Sequence, residues 1–377
     1  MIILGLSLSQ TQRSMYIESY FFITVCTAED SSRRGDSMVT LKDIAREAGV
    51  SVMTVSRVVN GNFSKVSVEN IKKIQAIIEK KHYVPNSTAR SLSSKSSRIV
   101  SLIVRGRGNE LTNPYNATMV GEIVPLIQKQ GYYLMLHFTD QYGDITQRLR
   151  AWNVEGAIFV GTFDGEIQKI IRDNQIPLIF TDSYSRVRQI TNVGVDDYKG
   201  GELAAHYLLK NGHKNFAFVG WALASGVVRG RFKGFRETLE KAGYPLDRSH
   251  ILEVKDSLSD IVSAICGFEE DHVAIFTSAD LLAVTLMDRL RERNRIAPRD
   301  YSIIGFDDLS IAGCVTPRLT TISQSFPKKA KAATDLLFRH IQDPTAPSEN
   351  VTLDVHLVSR ESVSCRHRDG HGPMPVS

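Results

Sequence analysis

The stretch Thr40–Asn60, TLKDIAREAGVSVMTVSRVVN, constrains this chain more than any other. Leu41, Ile44, Ala45 and Ala48 fall at i, i+3, i+4 and i+7, so one face of a first short helix is apolar. Thr40 is placed to cap that helix, with Asp43 three residues on, as in a capping box. Gly49 follows, where a left-handed residue ends a helix at little cost. Ser51 opens a second helix, in which Val52, Val55 and Val59 repeat the apolar spacing. Two such helices cannot enclose a core. A third is predicted over Ser67–Lys81, with Ile71, Ile74, Ile77 and Ile78 inward and Lys72, Lys73, Lys80 and Lys81 outward. Together they make a helix-turn-helix module whose second helix is shaped to enter a DNA major groove.

Charge supports that reading. The chain has 46 Lys and Arg against 41 Asp and Glu, a net of +5. Residues 38–98 alone hold 11 basic and 4 acidic side chains, so the other residues together are slightly acidic. A positive footprint confined to one small segment suits phosphate binding, and it also describes a merely solvated basic surface. The two-helix pattern favours the first.

At 377 residues the chain is long enough for two or three domains. Cys26, Cys266, Cys314 and Cys365 are scattered without C-x-x-C spacing, which fits a reducing compartment and argues against a disulfide framework or a zinc ribbon. In residues 1–37 the apolar patches Ile2–Leu8 and Tyr20–Cys26 both fall short of the ~20 residues of a membrane span. No basic residue precedes the first patch, as a secretory leader requires. We read Met38 as the start of translation and the leader as an upstream artefact. A disordered extension is the alternative, and an exported DNA-binding module is the least favoured.

After the third helix Pro85 biases Val84 out of the helical region. STARSLS, residues 87–93, has the length for a turn or two of helix, which is marginal without support. Leu92 in it is either an incidental leucine of a plain linker or an apolar wedge for a minor groove. The Ser-rich residues 94–97 read as a flexible tether.

Beyond residue 98, apolar runs alternate with helical patterns. Strands are predicted at Ile99–Val104, Tyr132–Phe138, Gly156–Gly161, Pro177–Thr181, Phe216–Gly220, Ala274–Thr277 and Tyr301–Gly305. Helices are predicted at Thr118–Gln130, Glu166–Asn174, Gly200–Lys210, Arg231–Ala242 and Leu281–Arg293. This alternation implies parallel sheets covered by helices on both faces, and the length implies two lobes with a ligand crevice between them. There is no G-x-S-x-G, P-loop, H-E-x-x-H or complete G-x-G-x-x-G, so no enzyme and no cofactor are expected. Cys365, His367 and His371 lie in a tail, residues 363–377, read as disordered rather than metal-binding.

VTLKDIAREAGVSVMTVSRVVNG, VSVENIKKI and YVPNSTARSL together resemble the LacI/GalR family of bacterial transcription regulators. VGVDDYKGGELAAHYLLKNGHKNFAFVG, GRFKGFRETLEKAG, FTSADLLAVTLMDRLRE and SIIGFDDLSIAGCVTPRLTTISQ extend the resemblance to about Ser362. It implies a cytoplasmic homodimeric repressor with no membrane association. Its parts are a helix-turn-helix head (38–85), a hinge helix and linker (86–98) and a two-lobed, periplasmic-binding-protein-like α/β body (99–362). In the family the chain crosses between lobes three times, so residues after about Gln324 should return to the first lobe. The implied partners are operator DNA and a small hydroxyl-rich effector, a sugar or sugar acid. Position by position, the resemblance implies base contacts for Val52, Met53 and Arg57, and phosphate contacts for Thr54, Ser56 and Asn60. It implies a minor-groove hinge of Asn86, Ala89 and Leu92, and effector contacts for Tyr115, Arg231 and Asp307. Three features depart from the family pattern: Ala279 before Asp280, Asn116, and the polar run Arg105–Glu110.

Overall fold

The computed structural model describes residues 39–83 and 96–366, except 107, 162, 164, 184–189, 222, 224, 256, 270 and 271. The leader, the expected hinge residues Asn86, Ala89 and Leu92, and the end of the tail lie outside the described residues. Two compact units divide near residue 87.

In the first unit, α1 (Leu41–Ala48), α2 (Val52–Val59) and α3 (Val68–Lys80) pack around Ile44, Ala48, Val55, Val58, Ile74 and Ile77. The capping box is complete: the Asp43 carboxylate accepts from the Thr40 amide at 3.0 Å, and the Thr40 hydroxyl caps the Asp43 amide. Gly49 ends α1 in the left-handed region at φ 69°. Ser51 and Ser67 cap the other two helices. The inward face of α2 differs from the predicted one. Val55 and Val58 are buried, Val59 is half-buried, and Val52 is exposed. Val58 stands three residues from Val55, and in an eight-residue helix that pair suffices to meet α1 and α3, which leaves the first turn free of the core.

The second unit has two lobes, each built on a six-stranded sheet. The first sheet runs β11 (Asn350–Leu353), β5 (Asn192–Val195), β4 (Leu178–Thr181), β3 (Gly156–Val160), β1 (Ile99–Arg105), β2 (Tyr133–Thr139), all parallel. The second runs β12 (His356–Val358), β10 (Thr320–Ser323), β9 (Tyr301–Asp307), β8 (Val273–Thr277), β6 (Phe216–Trp221), β7 (Ile251–Val254). Only β12 pairs antiparallel. Central strands are buried on both faces, and alternate residues feed opposite cores. Val100, Leu102 and Val104 join one cluster, while Ile103 joins Phe159 and Phe180 in another. In the second lobe Val219, Ile275 and Ile303 face one side and Phe218, Phe276 and Ile304 the other.

The chain crosses between lobes after β5, after β10 and after β11. The return after Gln324 takes the form of the helix Phe326–Gln342, whose Phe326, Ala330, Ala333 and Leu337 join the first-lobe core. Three predicted helices start earlier than expected, at Pro114, Asp197 and Gly226, because Asn113, Asp196 and Ser225 cap them with side-chain oxygens. The helices Asp197–Lys210 and Gly226–Lys241 approach closely through glycines. A Cβ on Gly201 would lie 2.0 Å from the Arg231 carbonyl oxygen, and one on Gly234 would lie 1.9 Å from that of Tyr198.

Two expectations need correction. Ser96 and Ser97 are not a free tether. The Glu155 carboxylate accepts from the Ser96 hydroxyl at 2.6 Å and from the Arg98 amide at 2.7 Å, which anchors the segment to the first lobe. Nor is the tail without structure from residue 363. The Ser364 carbonyl bonds His213 Nε2 at 3.0 Å, and the Arg366 amide donates to the Asn211 carbonyl at 2.7 Å. Both polar anchors lie far from their partners in sequence, where no local pattern reveals them.

Candidate functional site

Within the head, the first turn of α2 faces solvent. Val52 is 40% exposed and Met53 64%, an unusual exposure for apolar residues at the start of a helix capped by Ser51. Arg57 lies one turn on, its guanidinium 3.6 Å from the Met53 sulfur. The three residues expected to read bases therefore share one accessible face. Thr54 bonds the Ser51 hydroxyl at 2.9 Å, and the Asn60 side-chain amide bonds the Ser56 hydroxyl at 3.3 Å. These polar groups flank that face, with Asn60 exposed and Thr54 and Ser56 half-buried.

In the body, polar residues collect at the carboxyl ends of the strands of both sheets, where α/β lobes bind ligands. Asp307 ends β9, Asp182 follows β4, Ser278 follows β8 and Gln324 follows β10. Arg231, on the helix Gly226–Lys241, donates to Asp197 at 2.8 Å and to the Ser278 carbonyl at 2.5 Å. It stands 3.6 Å from Asp307, with its guanidinium 3.5 Å above the centre of the Phe306 ring. From the first lobe, Tyr115 donates its phenol to Asp182. Lys329 Nζ meets both Asp182 oxygens at 2.7 Å and the Gln324 carbonyl at 2.5 Å. The Gln324 amide donates to Asp307 at 2.5 Å. A continuous polar chain thus runs from Tyr115 in the first lobe through Asp182, Lys329, Gln324 and Asp307 to Arg231 and Asp197 in the second.

Of the predicted effector residues, the structure joins Tyr115, Arg231 and Asp307 through this chain. Sequence reasoning missed Asp182, Asp197, Gln324 and Lys329. The signal for Lys329 was present: it stands three residues after Phe326 and four before Ala333, on the face of the helix that enters the core. A fully buried lysine at a core position needs a carboxylate partner.

Burial governs the protonation of this cluster. It raises the Asp307 carboxyl to about 7, against the opposing pull of Arg231 and Lys329. Burial also raises Asp197 despite Arg231, and lifts Asp280 well above the usual carboxylate range with help from the Asp307 charge. Tyr115 is held well above the ordinary phenol range by burial and by the Asp182 carboxylate. The backbone is strained at the same place: Asp182, Asp307, Asp308 and Ser325 all have positive φ, at 55°, 121°, 59° and 46°. Such conformations in non-glycine residues persist where surrounding structure fixes them, and they cluster at functional sites. Among the described residues no group of three or more His, Cys, Asp or Glu side chains is placed to hold a metal, and no helix is long and apolar enough to cross a membrane.

A three-helix DNA-reading head followed by a two-lobed body with a polar interlobe cluster defines a ligand-responsive transcription regulator. The profile of bacterial regulatory proteins of the lacI family matches residues 40–86, and that of the periplasmic binding protein-like domain matches residues 205–363. Catabolite control protein A of Priestia megaterium is 31% identical over 333 residues, covering 86% of this chain and 99% of that protein. The lac repressor dimer bound to operator and the anti-inducer ONPF superposes with a TM-score of 0.77 at 25% identity, covering 87% of this chain and 100% of that one. A LacI family regulator from Enterococcus faecalis with bound ribose superposes with a TM-score of 0.62 at 27% identity, covering 71% of this chain and 99% of that one. This chain belongs to the LacI family of bacterial regulatory proteins and is a DNA-binding transcriptional regulator. Members of the family are regulators rather than enzymes.

Proposed function

We propose that this regulator is a cytoplasmic homodimeric repressor whose grip on operator DNA is set by a small hydroxyl-rich effector, a sugar or sugar acid, held between the lobes of the body. The observation that carries the reading is the buried polar chain from Tyr115 to Arg231, which joins groups on both lobes that suit hydroxyls. Charged groups make the stronger hydrogen bonds, and arginine engages two oxygens at once. In this reading Tyr115, Arg231 and Asp307 contact the effector. The relative solved with ribose and the lac repressor solved with ONPF are consistent with such a ligand.

Residues 38–85 form the DNA-binding head, 86–98 the hinge and linker, and 99–362 the effector-binding and dimerisation body. Arg57 reads a base edge, by preference guanine, while Val52 and Met53 make apolar contacts such as those to thymine methyl groups. Thr54, Ser56 and Asn60 reach phosphates and fix the register. Asn86, Ala89 and Leu92, outside the described residues, contact the minor groove in this reading, with Leu92 as the wedge. An effector shifts DNA binding only as far as it prefers one lobe arrangement over another.

The test is a mobility-shift assay on the gene's own upstream region with a panel of sugars and sugar acids. At least one member should change the fraction of DNA bound, and Asp307→Ala should abolish that change while the shifted band persists. A response that survives in the variant would remove Asp307 from the site.

A further inference from the structure

The effector cluster has a charge balance that narrows its ligand. Among the described residues it contains four buried carboxyl groups, Asp182, Asp197, Asp280 and Asp307, all at most 6% exposed. Against them stand two buried cations, Arg231 and Lys329. Both cations are already committed: Lys329 to Asp182 at 2.7 Å, and Arg231 to Asp197 at 2.8 Å. Burial lets Asp280 and Asp307 hold protons, but among the described residues neither buried cation of the cluster is uncommitted, so a ligand carboxylate or phosphate would bring an unpaired negative charge into a low-dielectric space.

Gln324 indicates what fits instead. Its carboxamide is fully buried between Lys329 and Asp307, accepting from the first at 2.5 Å and donating to the second at 2.5 Å. The position therefore demands one group that accepts from an ammonium and donates to a carboxylate. A hydroxyl does both with a single oxygen. A carboxylate or a doubly ionised phosphate can accept but cannot donate.

Building on the proposed effector reading, we infer that Lys329 is a specificity-determining residue of the cleft. It donates to a hydroxyl oxygen of an uncharged polyol, in the place that the Gln324 carboxamide fills, and the pairing with Asp182 makes the site reject anionic sugars. Lys329 enters from the first lobe, opposite Arg231, so the ligand oxygen it holds ties that lobe to the second.

The experiment is calorimetric titration of the full-length chain with matched neutral and anionic probes: D-ribose against D-ribose 5-phosphate, and cellobiose against cellobionate. The neutral member of any binding pair should bind at least tenfold tighter. Lys329→Met/Asp182→Asn removes both charges together, so no charge is left unpaired, and it should weaken the neutral probe at least tenfold while unfolding stays cooperative by circular dichroism. Asp182→Asn alone releases the lysine charge and should strengthen the anionic probe at least tenfold, a gain that loss of structure cannot produce. Preference for the anionic probe in the wild type, wild-type affinity in the double variant, or no gain for the anion in Asp182→Asn each overturns the inference while leaving the saccharide reading intact. Failure of every probe to bind counts against the saccharide reading itself and takes this inference with it.

Discussion

The side chain of Gln324 bonds Asp307 at 2.5 Å, and through that bond the end of β10 is locked to the end of β9 where the chain leaves the second lobe. The next residue, Ser325, has φ 46°, and the helix that follows it belongs to the first-lobe core. The cluster proposed to hold the effector and one of the interlobe crossings are therefore the same few residues. A ligand that displaces Gln324 acts directly on a connection between the lobes.

Asp307 should make stability depend on pH. Its carboxyl is raised to about 7 by burial, with Asp182 adding repulsion and Arg231 and Lys329 opposing. The folded chain thus keeps a proton that the unfolded chain releases near 4. The stabilisation is fully present below about pH 4 and is lost as pH rises to about 7, at up to ~1.4 kcal/mol per pH unit. Urea unfolding from pH 4 to 8 should show the wild type losing stability relative to Asp307→Asn as pH rises. A difference independent of pH would show that the carboxyl stays ionised throughout.

His213 should act with the opposite sign. Burial and the stacked His272, 5.3 Å away, push its imidazole down to about 4, while the Ser364 carbonyl partly opposes. The folded chain excludes a proton that the unfolded chain accepts near 6.5, so stability is present above that pH and lost as pH falls towards 4. His213→Gln keeps a donor for Ser364 and should flatten the profile between pH 4 and 6.5. This window overlaps that of Asp307, so the wild-type profile alone shows partial cancellation. Urea midpoints at pH 4.5 and 7.5, each compared with the single variant, separate the two.

Much of the fold was legible because its signals are local. The capping box of Thr40 and Asp43, the glycine at position 49 and the buried runs of β1, β3, β8 and β9 all follow from short-range spacing. Short elements were not legible, whether interior or at an edge: β5 and β10 are buried but only four residues long, and β7, β11 and β12 are three or four residues long with partly exposed faces that carry no clear period. The site was half legible. Tyr115, Arg231 and Asp307 could be placed by resemblance, whereas Asp182 and Lys329 are 147 residues apart and meet only through the crossing after β10. Val52 misled because apolar spacing cannot distinguish a core face from an apolar face kept for a partner.

Gly201 and Gly234 set the distance between the helices that carry Asp197 and Arg231. A Cβ at either glycine would meet backbone at 2.0 Å or less, and backbone cannot rotate away as a side-chain tip can. Gly201→Ala or Gly234→Ala should cost ~1–3 kcal/mol in chemical denaturation by overpacking. The displaced helix should also weaken effector binding, because the 2.8 Å Arg231–Asp197 bond spans that contact. Wild-type stability in both variants would mean that the helices slide apart freely.

Arg57 provides the test of DNA reading. Its side chain is half-buried along Met53, one turn from the exposed start of α2, so few rotamers remain to be fixed when it reaches a base. A bidentate contact to guanine discriminates by ~1–3 kcal/mol, whereas a phosphate contact lowers affinity for all sequences alike. Arg57→Ala should therefore reduce the ratio of operator to random-sequence affinity by tenfold or more. Binding to random DNA should persist and keep most of its salt dependence, since Lys42, Lys65, Lys72 and Lys73 remain. Competition mobility shifts at two salt concentrations read both quantities. Equal losses on operator and random DNA would assign Arg57 to the phosphate backbone and transfer base reading to Val52 and Met53.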